Sequence, residues 1–292
     1  MAIVFIAVLL VLVLTHSLPD APRLRNFAWF RQWLEHGAQQ SSAAFGLVLT
    51  IGVPVLLCLI VQFALRGTLL GLASLAFALV VLFYCLGPRD LERDVEAVDK
   101  APDSDRRTAA AQALRPEESD TPLPFAAEAL VEATFDSALR RVFGVILWFV
   151  LLGPVGAVLY RLTQLLAFTP DYAHALPAPQ QALAEKFARA LDWVPAHLVA
   201  LALALASDFD AVFKTWRDYH AAHGKGYFCL DLGFLNAIAR ASVDADVAAG
   251  DGHAVDLASP LVALDDAMTL IRRVLIVWLM VIALIVIAGW FT

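Results

Sequence analysis

Four apolar runs constrain this 292-residue chain more than any other feature, and they cover residues 44–65, 68–87, 142–160 and 274–291. Each run is about as long as the roughly 20-residue helix that crosses the hydrocarbon core of a bilayer. The chain is 60% hydrophobic and only 17% charged, with a mean hydropathy of +0.71, which a soluble domain does not tolerate. We therefore predict an all-α, polytopic helical membrane protein with small cytoplasmic helical segments.

Two further runs are shorter or less uniform. Residues 191–206 carry Asp192, Pro195 and His197 near their start, and residues 2–14 lack the basic region and cleavage site of a signal peptide. If residues 15–43 face the cytoplasm and 191–206 crosses, 17 of the 21 Lys and Arg residues lie inside. This bias predicts that 191–206 spans and that 161–190 forms an outer loop.

These runs define the predicted organisation of the chain. Its segments are N-terminal apolar and interfacial helices (1–43), a transmembrane hairpin (44–87), cytoplasmic helices and a linker (88–141), a second transmembrane pair with an outer loop (142–206), a cytoplasmic helical segment (207–273) and a C-terminal transmembrane helix (274–292).

The segments between the apolar runs are predicted to be mostly helical. Residues 24–36 have an apolar stripe at helical spacing, typical either of a helix on the membrane surface or of one packed on the bundle. The proline-rich stretch 100–124 is predicted to be a mobile linker with one short helix at 106–114. Residues 244–256 are predicted to form a polar loop.

An acidic row precedes the third run. Glu128, Glu132, Asp136 and Arg140 follow one another at intervals of four, so they share one face of a predicted helix. The simpler interpretation is a solvated helix face. The alternative is that Glu132 and Asp136 serve as catalytic acid/base groups or as ligands of a cation.

Several function classes have little support in the sequence. A net charge of −7 disfavours a nucleic-acid partner. No P-loop occurs, Gly67-x-x-x-Gly71 is only a weak helix-packing motif, and His220 and His223 offer two metal ligands without an evident third. The three cysteines have no metal-binding or disulfide spacing.

Two tracts combine polar or helix-breaking residues with apolar sequence. Gly153-Pro154-Val155-Gly156 lies inside the third run and predicts a kinked or broken helix. Asp192, at the start of the weak run, needs a cationic or hydrogen-bonding partner, and Arg161 is the predicted one.

These tracts resemble the AmpE family, inner-membrane components linked to β-lactamase induction and related to the CobD/CbiB cobalamin-biosynthesis proteins. The residues that carry the resemblance are Trp148, Gly153, Pro154, Gly156, Tyr160, Arg161, Asp192, Trp193, Pro195 and Arg273, with Leu264 to Met268 and Trp278. The resemblance covers most of 126–292, and 1–125 only by hydrophobic layout.

The CobD/CbiB branch is similar to an amide synthase that joins an aminopropanol unit to a corrinoid carboxyl using ATP. Its Glu-Asn-Thr-x-Asp-Gly tract corresponds here to residues 132–137, in which Ala133 replaces the Asn and Ser137 the Gly. Its His-Pro-Ser tract has no counterpart at Ala258-Ser259-Pro260. These departures favour a regulatory protein over the enzyme.

The resemblance therefore implies a non-enzymatic, multi-pass regulator in the bacterial inner membrane, responding to antibiotic or cell-wall turnover. Its expected partners are the lipid bilayer and an unknown cell-wall-derived ligand or partner protein, with no cofactor, metal or nucleic acid. The alternative is a CobD/CbiB-like membrane amide synthase acting on an amphipathic substrate through Glu132 and Asp136.

Overall fold

The structure is a computed structural model that describes residues 2–17, 25–37, 42–66, 71–87, 89–115, 122–223, 229–249 and 259–289. All regular elements in these ranges are helical, which confirms the predicted all-α class. Contacts divide the chain into two compact units. The first contains residues 1–88, 144–191 and 282–292, and the second contains 89–143 and 192–281. The finer division predicted from the sequence stays a prediction.

Among the described residues, seven helices lie entirely in the first unit, and one of them has only four residues. They are α1 (Ala2–Ser17), α2 (Ala28–Gly37), α3 (Ala43–Ala64), α4 (Leu72–Cys85), α8 (Gly144–Leu152), α9 (Pro154–Phe168) and α10 (Pro170–Ala173).

The second unit contains α5 (Leu91–Asp99), α6 (Ser104–Ala111), α7 (Ala127–Ala138), α12 (Phe209–His223) and α13 (Gly233–Ala249), with a 3-10 turn at Gln112–Leu114 and a π-helical turn at Leu139–Phe143. Helices α11 (Ala178–Ala206) and α14 (Pro260–Ile287) contribute residues to both units.

Within the described ranges, α3, α11 and α14 are long and apolar enough to cross a membrane. They contain most of the predicted run 44–65, all of the weak run 191–206 and most of the run 274–291. The other two clear runs form shorter helices, because α4 has 14 residues and the run 142–160 divides between α8 and α9. Residues 161–190, predicted to connect two crossings on the outside, are mostly helical, since α9 continues to Phe168 and α11 begins at Ala178. Their location outside the membrane stays a prediction.

The break between α8 and α9 occurs at the predicted Gly-Pro tract. Gly153 has a φ of +72°, a left-handed conformation that favours glycine, and Pro154 occupies the first turn of α9. Gln62 of α3 supports the break, because its side chain accepts from Val155 N at 3.3 Å and donates to Leu152 O at 3.5 Å. A polar side chain thus pairs with the backbone groups that the helix break leaves without helical partners.

Two of the described helices contain an internal proline. A proline has no N–H group, so the carbonyl four residues earlier lacks its usual donor, and in both helices a tryptophan side chain donates to that carbonyl. Pro54 of α3 cannot donate to Thr50 O, and Pro195 of α11 cannot donate to Leu191 O. Trp33 Nε1 donates to Thr50 O at 3.2 Å, and Trp148 Nε1 donates to Leu191 O at 3.1 Å. Indole N–H groups therefore replace the missing helical hydrogen bonds.

Helix α2 packs into the core of the first unit. Phe27, Phe30 and Leu34 are buried with Leu47 and Ile51 of α3 and with leucines of α9. The packed alternative for residues 24–36 is therefore the correct one, although Trp29 remains exposed.

The segment predicted as a linker is ordered where the structure describes it. Helix α6 and the 3-10 turn cover the predicted short helix, and Leu114 and Leu123 are buried. Gln112 bonds Leu123 twice, since its side chain accepts from Leu123 N and donates to Leu123 O. Residues 116–121 lie outside the description.

Other predicted boundaries have mixed outcomes. Pro260 begins α14 after Ser259, and Asp208 caps α12 by accepting from Ala211 N at 2.7 Å, as predicted. The polar loop at 244–256 is wrong in its first part, because α13 continues to Ala249. Residues 250–258, Gly67 and the side chain of His223 are outside the described part.

Candidate functional site

The acidic row of α7 faces a polar row on α13. Arg240 donates to Glu128 Oε2 at 2.8 Å and lies 3.2 Å from Glu132 Oε1, and Asn236 Nδ2 donates to Asp136 Oδ2 at 3.4 Å. Along α7 the contacts run from Glu128 to Asp136, whereas along α13 they run back from Arg240 to Asn236. The two helices are therefore antiparallel.

The three acids differ in environment along α7. The Glu128 side chain is 77% exposed, Glu132 is half-buried, and Asp136 is half-buried at the end nearest the π turn. Loss of solvation raises the pKa of Asp136 to about 7; the negative charges of Glu132 and Asp192 add to this, and the Asn236 hydrogen bond opposes it. A uniformly solvated face is therefore the wrong description, because Asp136 is not solvated like Glu128.

The π turn at Leu139–Phe143 inserts extra backbone into the helix, so the residues that follow Asp136 point in different directions from those of a regular α-helix. Arg140, predicted to support the acidic row, lies 3.5 Å from Asp192 Oδ2 through its Nε atom. Asp192 is fully buried, so the predicted need for a cationic partner is met by Arg140. Asp136, Asp192 and Arg140 thus form a charged cluster in the second unit.

An aromatic group lies next to this polar row along α11 and α13. His197 is packed among Trp193 at 4.1 Å, Phe234 at 4.6 Å and Trp216 at 5.6 Å between ring centroids. Phe234 precedes Asn236, the partner of Asp136, by two residues on α13. The aromatic group and the charged cluster are therefore close in sequence on this helix. The sequence motif Asp192-Trp193-x-Pro195 therefore contributes one charged and one aromatic group to the same unit.

A cavity of about 320 Å³ opens beside the row, lined by Glu128, Arg240, Asp244, Thr215 and small apolar residues. Loss of solvation and the charge of Glu128 raise the pKa of Asp244, whereas Arg240 lowers it. The cavity has the size of a small polar ligand and is bounded by both signs of charge.

Trp148 and Tyr160, which flank the Gly-Pro tract, have structural roles in the first unit. A side chain at Gly156 would collide with the carbonyl of Trp148, and one at Gly144 would collide with the ring of Tyr160, which is fully buried. The two glycines therefore permit α8 and α9 to pack closely.

Arg161 and Arg273 are two further predicted residues, one in each unit. Arg161 is buried, with its guanidinium carbon 5.7 Å from the centre of the Phe27 ring. The predicted pairing of Arg161 with Asp192 stays a prediction. Arg273 lies half-buried on α14, where Arg272 bonds Glu92 at 2.8 Å.

The described residues contain no group of three His, Cys, Asp or Glu side chains arranged to hold a metal ion. Sequence reasoning missed Asn236, Arg240 and Asp244 as partners of the row. Their signal was present, since three polar residues at intervals of four interrupt the apolar pattern of α13.

Residues 4–225 match the family model described as CobD/Cbib protein. This chain belongs to the CobD/CbiB family. Two relatives named "Cobalamin biosynthesis protein CobD" are similar to it. The protein from Stutzerimonas stutzeri (strain A1501) is 30% identical over 159 residues, which cover 52% of each chain.

The CobD from Chromobacterium violaceum is 27% identical over 152 residues, which cover 51% of this chain and 49% of the relative. The chain thus spans about half the length of the curated relatives it matches. No solved structure matches it.

CobD/CbiB membership corrects two expectations. The AmpE-like function in β-lactamase induction is wrong, because the family model and both relatives point to cobalamin biosynthesis. The expectation that the chain is not an enzyme is wrong for the same reason. The replacements at Ala133 and Ser137 therefore do not separate this chain from the CobD/CbiB family.

Proposed function

We propose that this protein is a membrane-bound amide synthase of the CobD/CbiB type, which joins an amine to a carboxyl group of an amphipathic substrate. The observation that carries the proposal is the position of Asp136, a half-buried carboxyl on the family-matched segment with a pKa raised to about 7. An amino alcohol and a corrinoid acid are the substrate classes that the family suggests.

The proposed chemistry assigns proton transfer to Asp136. An aliphatic amine is an ammonium ion near neutral pH, and it must lose a proton before its nitrogen can attack a carboxyl carbon that ATP has activated as an acyl phosphate. Inorganic phosphate then leaves as the C–N bond forms. A base with a pKa close to ambient pH accepts that proton efficiently. Asn236 holds one oxygen of Asp136 at 3.4 Å and leaves the other oxygen for the substrate.

Glu132 and Asp192 act as positioning and electrostatic groups. Glu132 is engaged by Arg240 at 3.2 Å and Asp192 by Arg140 at 3.5 Å, so both are less suited to proton transfer than Asp136. Arg140 and Arg240 both face carboxylates, so the chemistry assigned to this group of residues is limited to proton transfer.

The proposal places the protein as a multi-pass component of the bacterial inner membrane, with an amphipathic substrate approaching from the bilayer. The family match and the three helices of spanning length support this placement.

The test is amide formation by the full chain in lipid nanodiscs, supplied with a corrinoid carboxylic acid, 1-aminopropan-2-ol and MgATP, with the product measured by mass spectrometry. Asp136→Asn should lower the rate at least about 100-fold, the usual contribution of a general base. Glu96→Gln, at an exposed carboxylate outside the acidic row, should stay within about twofold of the parent chain. Absence of product with the parent chain, or an active Asp136→Asn variant, would refute the proposal.

A further inference from the structure

Helix α12 begins with exposed aromatic residues, and it follows an exposed apolar stripe on α11, a helix long enough to cross a membrane. Leu198, Leu201 and Leu205 are exposed at intervals of three and four along the last turns of α11, and Leu205 is 70% exposed. Phe209 is 54% exposed and Phe213 38% exposed at the next two intervals of four. Exposed apolar residues therefore lie on both sides of the turn at Ser207 and Asp208.

The connection between the two helices holds α12 close to the membrane surface. Only Ser207 and Asp208 separate Ala206 from Phe209, so the start of α12 lies within about 11 Å of the end of α11. Asp208 fixes the turn by capping α12. The polar interface of a bilayer is roughly 5–8 Å thick on each side, which places the first turns of α12 within it or beside it.

Another face of α12 packs against the protein. Val212 is fully buried, and Trp216 stacks on Phe234 of α13 with ring centroids 5.7 Å apart. Tyr219 Oη donates to Asp231 Oδ2 at 3.2 Å, before the start of α13. Phe209 and Phe213 form a separate stripe beside this packed face, with their rings 4.4 Å apart.

Cationic side chains flank the exposed aromatic stripe. Phe213 and Trp216 share a groove with Asp210, Lys214 and Arg217. Aromatic rings with neighbouring Lys and Arg side chains are typical of helices that lie in the interface, because the rings sit at head-group depth while the cations reach the phosphates.

We infer that α12 is a membrane-docking helix, with Phe209 and Phe213 inserted into the lipid interface and Lys214 and Arg217 directed to the head groups. The occupant of this face is the bilayer itself, since only two residues separate it from the exposed apolar end of α11, a helix long enough to span a membrane. Through α13, this docking holds the acidic row near the membrane surface, and the inference stands independently of the proposed amide chemistry.

The test is photo-crosslinking of the full chain, reconstituted in vesicles of phosphatidylethanolamine and phosphatidylglycerol. Phe213→p-benzoylphenylalanine places a crosslinker on the stripe, and Asp218→p-benzoylphenylalanine places one on the exposed polar side of the same helix. We expect at least fivefold more lipid adduct at position 213 than at 218. Phe209→p-benzoylphenylalanine provides a second position if the first variant fails to insert.

Equal lipid adducts at 213 and 218 would overturn the inference by showing that the stripe faces water. A crosslink from 213 or 209 to protein in place of lipid would also overturn it, because the stripe would then be a protein interface.

Discussion

Asp136 shows how one side chain acquires its chemistry from its neighbours. The same residue type on the exposed part of α7 would be an ordinary ionised carboxylate. Contact with α13, the nearby charges of Glu132 and Asp192, and the loss of solvent together raise its pKa to about 7. Of the predicted site residues, it is the one whose environment best matches proton transfer.

The raised pKa predicts a pH-dependent effect of Asp136→Asn on stability. Between an ordinary pKa of 3.8 and the folded value of about 7, the folded protein retains a proton that the unfolded chain has released. The contribution of this group to stability therefore falls as pH rises through this interval. Asp136→Asn removes the charge, so it should raise the unfolding temperature by a few degrees at pH 8 and leave it nearly unchanged at pH 4.

Differential scanning fluorimetry of the purified protein in detergent measures this effect. Glu128→Gln is the matched control and should show the same small shift at both pH values, since Glu128 is exposed. An equal shift for Asp136→Asn at pH 4 and pH 8 would contradict the assigned environment.

The tryptophan–proline pairs show how a membrane helix tolerates an internal proline. Pro54 and Pro195 each free a carbonyl one turn earlier, and Trp33 and Trp148 supply the donors. An unpaired carbonyl in an apolar interior costs about 1–3 kcal/mol. The helices are therefore stabilised by side chains that come from other elements.

Trp148→Phe should lower stability by about 1–3 kcal/mol, because Leu191 O loses its donor. Pro195→Ala restores the helical N–H, so the double variant should lose less than Trp148→Phe alone. Thermal unfolding of the four proteins in a double-mutant cycle gives the coupling. Trp29→Phe is the control and should have little effect on stability, because it removes an exposed hydrogen bond to Tyr84. If the effects of Trp148→Phe and Pro195→Ala are strictly additive, the Trp148 N–H does not replace the helical N–H that Pro195 lacks.

A buried ion pair anchors α5 and the 3-10 turn to the π turn. Arg141 bonds Asp94 Oδ2 at 2.7 Å and also donates to the carbonyls of Ala113 at 2.7 Å and Arg115 at 3.2 Å. Both charged groups are buried, so each needs the other.

Asp94→Asn should destabilise the protein by about 3–5 kcal/mol, since it leaves the Arg141 charge buried without its carboxylate. The measurement is the thermal unfolding of the purified variant. Glu96→Gln, in an exposed pair with Lys100 on the same helix, should leave the unfolding temperature unchanged. Comparable losses from the two variants would show that burial does not decide the strength of the Asp94 pair.

The orientation of the whole molecule in the membrane follows from charge. Placing residues 15–43, 88–141 and 207–273 inside puts 17 of the 21 basic residues in the cytoplasm. The long helix α11, whose apolar half is the weak run 191–206, provides a crossing of sufficient length. This arrangement stays a prediction.

Cysteine labelling of oriented vesicles tests it. Ser119→Cys and Gly252→Cys should react with an impermeant maleimide only from the cytoplasmic side, and Ala178→Cys only from the outside. The parent chain, which contains Cys58, Cys85 and Cys229, provides the background reaction. Reaction of Gly252→Cys from the outside would make 191–206 a re-entrant segment.

The sequence by itself determined the all-α membrane class, the break at Gly153-Pro154 and the cap at Asp208, because hydrophobic length and local backbone chemistry decide these features. It also brought Glu132 and Asp136 onto one face through helical periodicity. Only the tertiary structure decided what that face meets. Arg240, Asn236 and Asp192 lie far from the row in the chain, and the raised pKa of Asp136 depends on burial between helices. A carboxyl's local sequence does not specify its solvation, whereas packing against another helix does.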